Sequence, residues 1–163
     1  MLVRMSRDPV GEIPIPALLR AARGAYGVAV RERLAAGGFD DLPGNGPYVI
    51  GGMVARGGTA GDLVRQLGVS KQAASQLIDA LVLRGYLERS ADPDDRRRTT
   101  LVATERGRAA AAATLAGVQE VDRELAGVLT AEQLDGLREG LIALTTIRER
   151  LEDEHGGAGD RAG

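Results

Sequence analysis

The chain has 163 residues, of which 44% are hydrophobic, but it contains only three Tyr, one Phe and no Trp. Its core must therefore consist of Leu, Val, Ile and Ala, a composition that suits helices packed in one compact domain with helical extensions. The net charge of −2 gives no bulk attraction for nucleic acid, and the absence of Cys excludes disulfides, thiol-based sensing and cysteine-ligated metal. No apolar run approaches the roughly 18 residues of a membrane span, and no signal peptide is visible, so a cytoplasmic location is expected.

The N-terminal part of the chain contains one long helical pattern. Residues 1–12 show no apolar period and are predicted to form a flexible arm. The segment 13–38 is predicted to hold a helix over 15–36, because prolines suit a first helical turn and apolar residues then recur at every third or fourth position. Gly37 and Gly38 are expected to end this helix.

The run YVIGGMVA at 48–55 follows a loop rich in Gly and Pro. A run this short does not distinguish a strand from a helix by its pattern. Gly51 and Gly52 argue against a helix, but the position of the run just before a pair of helices favours one. We therefore expect a short helix here.

Two further helical patterns meet at a tight turn. Thr59 is predicted to cap the first, and Ser70 to cap the second, which runs to about Leu83. The second helix has apolar residues on one face and polar residues on the other. A helix that enters the major groove of DNA needs short or amide side chains on its outer face, since these reach the donors and acceptors of the base edges. The candidate DNA contacts of the two helices are Thr59, Ser70, Lys71, Gln72, Ala73, Ser75 and Gln76. For this helix taken alone, an ordinary solvated face is an equally good interpretation.

Two strand patterns, at 86–90 and 99–103, flank a turn rich in Asp and Arg, which predicts a β-hairpin. Beside a reading helix such a hairpin is a wing, and an arginine at its tip can enter a narrow minor groove. We expect Asp95 to pair with one of the arginines and to set its direction. The candidate DNA contacts of the wing are Asp95, Arg96, Arg97 and Arg98. Without the neighbouring helices, a charged surface turn that has no partner would be the better interpretation.

The last third of the chain is helical and acidic, with 5 basic and 11 acidic residues over 111–163. Thr104 is predicted to cap a long helix, and Thr130 with Gln133 forms a capping-box pattern that opens a last helix. That helix repeats apolar residues at near-heptad spacing, which favours packing against a second copy of the chain over packing within one small domain. The apolar stripe consists of Leu134, Leu137, Leu141, Leu144, Ile147 and Leu151.

The stretch LVRQLGVSKQAASQLIDALVLRGYLERSADPDDRRRTTLVATERGR closely resembles the winged-helix core of the MarR family of bacterial transcriptional regulators. The matching pieces are the LGVS turn, the RGYLER strand, the DPDDRR wing, and Thr104 followed by Gly107. Ala103 stands where the family usually has Leu. The resemblance implies a mainly α fold with a small β-hairpin wing. In chain order it implies a flexible arm at 1–12, a dimerisation helix at 13–38, a winged helix-turn-helix at 47–103, dimerisation helices at 104–155 and a disordered tail at 156–163.

The same resemblance implies a function. Proteins of this family act on double-stranded DNA as homodimers whose two reading helices enter successive major grooves of a pseudo-palindrome. Family members often respond to a small aromatic or phenolic effector in a cleft between the dimer helices and the reading head. The residues of this chain that would line such a cleft are Arg23, Tyr26, Tyr48 and Met53. Plain core packing is the alternative interpretation of Tyr26 and Tyr48.

The chain is therefore predicted to be a sequence-specific transcription regulator, a ligand-responsive repressor associated with the bacterial nucleoid. The alternative is a winged-helix module that serves mainly protein–protein interaction, which the acidic C-terminal third favours weakly. No catalytic constellation is visible, so no enzyme activity is expected. No cofactor, metal site or membrane partner is expected either, since His155 is the only His and lies near the end of the chain.

Overall fold

The computed structural model describes residues 13–56, 70–91 and 99–159, which form five helices and one two-stranded sheet. Several predictions fall outside these residues. They concern the N-terminal arm at 1–12, the Thr59 cap with its helix, the wing turn with Asp95, Arg96, Arg97 and Arg98, and residues 160–163.

Helix α1 spans Ile15–Ala36, which confirms the predicted bounds. Pro14 directly precedes the helix and a second proline lies in its first turn, where backbone N–H groups have no helical partner in any case. Helix α2 spans Gly46–Arg56, so the ambiguous run at 48–55 is a helix. Its buried side chains, Val49, Ile50 and Met53, follow the spacing of one helical face.

Helix α3 spans Lys71–Leu83 and begins at the predicted cap, because the Ser70 hydroxyl accepts the backbone N–H of Ala73 at 3.2 Å. Strand β1 spans Leu87–Ala91 and strand β2 spans Thr99–Ala103. They pair antiparallel, with Leu87 opposite Ala103 and Ala91 opposite Thr99. The hairpin is confirmed, although β1 begins one residue later than predicted.

Helix α4 spans Glu105–Val128 and helix α5 spans Ala131–Gly159. The capping box of α5 is confirmed, since the Gln133 side chain accepts the Thr130 N–H at 2.9 Å and the Thr130 hydroxyl accepts the Gln133 N–H at 3.2 Å. The prediction of a disordered tail from 156 is wrong for 156–159, which continue α5 because no proline or left-handed glycine stops the helix there.

Helices α1 and α3 end with the same backbone motif. In α1 the N–H of Phe39 donates to the Leu34 carbonyl at 2.9 Å, and Gly38 has φ +75°. In α3 the N–H of Tyr86 donates to the Leu81 carbonyl at 2.9 Å, and Gly85 has φ +72°. These are Schellman ends, in which glycine takes the left-handed position and an apolar residue folds back on the last turn. Each end therefore fixes one aromatic ring.

The chain divides into two compact units along α4, between Val121 and Asp122. The core of the first unit is aliphatic apart from one tyrosine, and it consists of Val30, Leu34, Val49, Ile50, Met53, Ile78, Leu81, Tyr86, Leu87, Leu101, Ala110 and Ala111. Gly117 of α4 lies directly on the α1 backbone, because a Cβ there would stand 2.7 Å from the Cα of Val30. Only glycine permits this approach, which sets the position of α1 against α4.

The second unit, from Asp122 onward, contains no buried apolar side chain within the part that the structure describes. Its apolar stripe on α5 is left about 40% exposed, at Leu137, Leu141, Leu144, Ile147 and Leu151. In the described part of the chain, no helix combines the length and apolar character that crossing a membrane would require.

Candidate nucleic-acid interface

The outer face of α3 gathers the predicted reading residues. Ala74, Ile78 and Leu81 are buried beneath the helix, so the opposite face points to solvent. All the predicted reading residues on this helix are exposed: Ser70, Lys71, Gln72, Ala73, Ser75 and Gln76. Ala73 is exposed too, so it is not a core position.

The first turn of α3 keeps the partial positive charge of a helix N-terminus. It contains no acidic residue, so no side-chain carboxylate neutralises the partial positive charge of the helix N-terminus. The Ser70 hydroxyl occupies one of the free N–H groups by accepting from Ala73. Lys71 adds a full positive charge at the same end, which favours a phosphate nearby.

A salt bridge joins the reading helix to the hairpin. Arg89 on β1 donates to the Asp79 carboxylate on α3 at 2.6 Å. The contact compensates a negative charge on the outer face of α3 that would otherwise repel phosphate. We predicted an acid–arginine pair in the wing turn, at Asp95, which lies outside the described residues; the pair at Asp79 and Arg89 was missed because the two residues meet only when the hairpin folds back on the helix.

The base of the hairpin is held by Thr104. Its hydroxyl donates to the Gly85 carbonyl at 2.6 Å and accepts the N–H of Gly107 at 3.0 Å, while its backbone N–H donates to the Tyr86 carbonyl at 3.1 Å. A Cβ at position 107 would collide with that same carbonyl oxygen. The Thr-then-Gly pattern of the sequence therefore closes the corner between β2 and α4.

Asp41, Tyr86 and Arg106 form a polar cluster beside this corner, here called the Asp41 cluster. The Tyr86 hydroxyl donates to the Asp41 carboxylate at 2.5 Å, and Arg106 donates to Asp41 at 2.9 Å and to the Tyr86 oxygen at 3.1 Å. The Arg106 guanidinium also lies 4.6 Å from the centre of the Tyr86 ring. The rings of Phe39 and Tyr86 meet edge to face at 6.3 Å.

The cluster shifts the protonation of its members. The hydrogen bond from Tyr86 holds the pKa of Asp41 below its ordinary value, and Arg106 acts in the same direction. Burial raises the pKa of Tyr86, and the hydrogen bond to Asp41 adds to that increase. At neutral pH the carboxylate is therefore charged and the phenol keeps its proton. Sequence analysis missed this cluster because its members lie far apart along the chain.

A cavity of about 820 Å³ lies between α1 and the α1–α2 loop. Its size falls within the range of small-molecule sites. Of the four predicted ligand contacts, Arg23 and Tyr48 line it. Tyr26 does not line it, and Met53 is buried in the core at 5% exposure. Tyr48 is 44% exposed, so core packing does not describe it.

The cavity has cationic and apolar walls. Three arginines line it, Arg20, Arg23 and Arg31, against one carboxylate, Asp40. The apolar lining comes from Val28, Val30, Leu34, Ala35, Phe39, Leu42, Pro47 and Tyr48. Elsewhere in the described residues, no group of His, Cys, Asp or Glu side chains comes together that could hold a metal ion.

The described residues define a class: a reading helix followed by an antiparallel hairpin, flanked by long helices, is a winged-helix protein. Residues 51–98 match the sequence model of the MarR family. The match covers less than a third of the chain, and the fold described above is the winged-helix fold of solved MarR-type structures. No curated protein matches the chain significantly.

Solved structures give the same fold. MepR of S. aureus in complex with DNA is 18% identical, with a TM-score of 0.67 over 82% of this chain and 95% of that chain. The reduced form of MarR from E. coli is 25% identical, with a TM-score of 0.62 over 81% and 96%. MepR bound to ethidium bromide is 19% identical, with a TM-score of 0.55 over 83% and 97%.

Proposed function

We propose that the protein is a sequence-specific transcription regulator that binds double-stranded DNA through α3 and the wing. The observation that carries the proposal is the exposed polar face of α3. Within the described residues, the side chains of Lys71, Gln72, Ser75 and Gln76 make no hydrogen bond or ion pair, so they are free for base edges and phosphates. The fold shared with MepR, one structure of which is a DNA complex, supports the same role.

The roles of the individual side chains differ. Gln72 and Gln76 can pair with adenine through two hydrogen bonds, and Ala73 can touch a thymine methyl group. Lys71 stands at the helix N-terminus, where a phosphate is favoured. In the wing, Arg96 and Arg97 are proposed to enter the minor groove, with Asp95 directing one of them and Arg98 close by. Thr59 is proposed to contact the backbone from the preceding helix.

The experiment is genomic footprinting followed by anisotropy titration on the site found. Lys71→Ala should weaken binding about equally on all sequences, whereas Gln72→Ala should change the base preference at one position. The double substitution Arg96→Ala and Arg97→Ala should lower the salt dependence of binding by up to about two ion contacts. Arg138→Ala, on the polar side of α5, serves as the control that loses one arginine away from the reading head.

A purified chain that shows no salt-sensitive binding to any DNA would overturn the proposal. That result would favour the alternative function, a winged-helix module that binds proteins. The proposal also includes a nucleoid-associated location and the action of a repressor. A reporter gene behind the footprinted site tests the repression, since deletion of the regulator should raise expression.

The proposed regulator is a homodimer. The leucine stripe of α5 is about 40% exposed in the single chain, and Ile15, Leu18 and Leu19 on α1 are exposed too. Apolar surface on this scale is unfavourable in water and is characteristic of an interface. A second copy would cover it and place the two reading helices roughly 34 Å apart, one turn of DNA, on a pseudo-palindromic operator.

Light scattering coupled to gel filtration tests the dimer. The wild-type chain should elute with twice its own mass. Leu144→Glu places a charge in the stripe and should give monomers that bind the operator far more weakly. Arg138→Glu introduces the same residue on the polar face of α5 and should leave the dimer intact; a monomeric wild type would contradict the proposal.

The cavity is proposed to bind a small aromatic or phenolic effector that carries a negative charge. Arg23 would hold the anion and Tyr48 would stack on the ring. Tyr26 and Met53 do not line the cavity, so neither is proposed to contact the effector. One MepR structure contains ethidium, a cation; the three arginines here favour an anion of similar aromatic character.

Benzoate is the probe for this effector, with phenol as its uncharged analogue and ethidium as a cation. Benzoate should raise the melting temperature and release DNA at lower concentration than phenol, and ethidium should do neither. Arg23→Ala should abolish the preference for benzoate over phenol. If the two compounds act equally on the wild type, the arginines do not select the ligand.

A further inference from the structure

The loop between α1 and α2 contacts both the cavity and the polar cluster around Tyr86. Phe39, Asp40 and Leu42 line the cavity. The carboxylate of Asp41 instead contacts Tyr86 and, through a second hydrogen bond, Arg106 at the start of α4. A group that fills the cavity and displaces its wall must therefore also displace Asp41, since these loop residues are covalent neighbours.

Tyr86 connects this loop to the wing. It directly precedes β1, and its side chain has no exposed surface. Its carbonyl oxygen accepts the backbone N–H of Thr104 at 3.1 Å, at the corner where β2 passes into α4. In a close-packed interior a ring held this way cannot shift without moving the first wing strand or that corner.

Phe39 provides a parallel contact. Its ring lines the cavity and meets the ring of Tyr86 at 6.3 Å. The cavity loop and Tyr86, which directly precedes the wing, are thus joined by two side-chain contacts, one polar and one aromatic. Contiguous packing and hydrogen bonding of this kind can carry coupling between two sites.

We propose that Asp41 is a positioning residue: by holding Tyr86 it sets the placement of the wing according to whether the cavity is filled. The inference rests on the proposed roles of wing and cavity and concerns the regulation of that site. The Asp41 and Arg106 side chains are 44% and 45% exposed. An exposed ion pair and a single hydrogen bond each contribute little to stability, so this link opens without unfolding the domain.

The test fills the cavity by mutation and removes the link in a second step. Gly24 lines the cavity and has open space where a Cβ would stand, so Gly24→Leu fills part of the cavity. Asp41→Ala removes both hydrogen bonds of the carboxylate. With Asp41 present, Gly24→Leu should change the Kd for the footprinted DNA at least about threefold. With Asp41→Ala, the same substitution should change Kd clearly less, since only the ring contact of Phe39 with Tyr86 remains.

Three controls accompany the double-mutant cycle. Gly51→Leu also adds a side chain to a helical glycine with open space, but it does not line the cavity and should show no dependence on Asp41. Gly44→Leu repeats the filling from the loop side. Asp41→Asn keeps a carbonyl oxygen that accepts from Tyr86 and should restore part of the coupling, which a general loss of stability would not do.

A second readout needs no DNA. Amide hydrogen exchange of β1 in the free protein should change with Gly24→Leu when Asp41 is present and change clearly less with Asp41→Ala. This arm remains valid if the chain proves not to bind DNA, so failure of the proposed function and failure of the inference are distinguishable. Equal effects of Gly24→Leu in both backgrounds, or no effect in either, would overturn the inference.

Discussion

Helices α1 and α3 end in the same way, and the two ends have different surroundings. Each uses a left-handed glycine, Gly38 or Gly85, to fold an aromatic residue back on the last turn. Phe39 is then directed to the cavity wall, where it is half-buried. Tyr86 is fully buried and leads straight into the wing. The same helix-end motif therefore supplies a cavity wall in one place and a structural corner in the other, and the hydroxyl of Tyr86 adds a polar contact that Phe39 does not have.

The largest expected effect comes from the corner beside Tyr86. Gly107→Ala places a methyl group against the Tyr86 carbonyl oxygen. Relief of this clash would require the backbone of α4 or the backbone at Tyr86 to move. We expect a loss of about 2 kcal/mol in the free energy of unfolding, since overpacking of this kind outweighs the gain in helix propensity. Urea unfolding measures it.

Gly127→Ala is the matched control for that substitution. It lies in the same helix and has nothing within 4 Å of the added Cβ. It should stabilise the protein by roughly 0.5–1 kcal/mol, because alanine is the better helix former. The comparison fails if both substitutions have the same sign.

Substitutions of the two glycines at the helix ends should lower the stability of the protein by similar amounts but should affect different ligands. Gly38→Ala and Gly85→Ala each place a Cβ in the left-handed region, at a cost of about 1–2 kcal/mol. Gly85→Ala should also weaken DNA binding, because Tyr86 and β1 follow it directly. Gly38→Ala should instead weaken benzoate binding; equal effects on both ligands would show that the two ends are not functionally separate.

Tyr86→Phe makes the two aromatic residues chemically alike. It removes the hydrogen bond to Asp41 and keeps the ring contact with Phe39. We expect a loss of about 1 kcal/mol, the usual net contribution of one hydrogen bond. Thermal unfolding measures it. In the Asp41→Ala background the same substitution should cost clearly less; an unchanged cost would mean that the hydroxyl acts without Asp41.

The smallest expected effect is on how the stability of the protein depends on pH. Tyr86 and Arg106 hold the pKa of Asp41 below its ordinary value, so the charged carboxylate stabilises the fold at neutral pH. This contribution is complete above the unfolded-state pKa of about 3.9 and is lost as pH falls through the lower folded-state value. In melting experiments between pH 6 and pH 2, the wild type should therefore lose stability more steeply below about pH 4 than Asp41→Asn. Parallel curves would show that Asp41 does not contribute.

Local chemistry made much of the fold predictable. The ends of α1, the Ser70 cap, the capping box at Thr130 and the strand at 99–103 all depend on residues within a few positions of one another. The exposed face of α3 followed from its helical period alone. Strand β1 was misplaced by one residue because Tyr86 belongs to the end of α3, which the alternation of its neighbours does not reveal.

The candidate site was only partly predictable, since its contacts join distant segments. Met53 was expected in the cleft that the family resemblance implies but lies in the core, because its position on the inner face of α2 depends on how that helix packs. Tyr48, which core packing would have explained, lies half-exposed at the cavity. The pairing of Asp79 with Arg89 needed the relative placement of a helix and a strand.

The Asp41 cluster also bears on the order in which the chain folds. Its contacts join residues 45 and 65 positions apart, while the hairpin and the helix caps join near neighbours. Closing a longer loop costs more chain entropy, and local contacts are therefore expected to form first. Helix α3 and the hairpin would then assemble before Asp41 connects them to the cavity loop, so the surface that is proposed to contact DNA would form while the cavity wall is still unfixed.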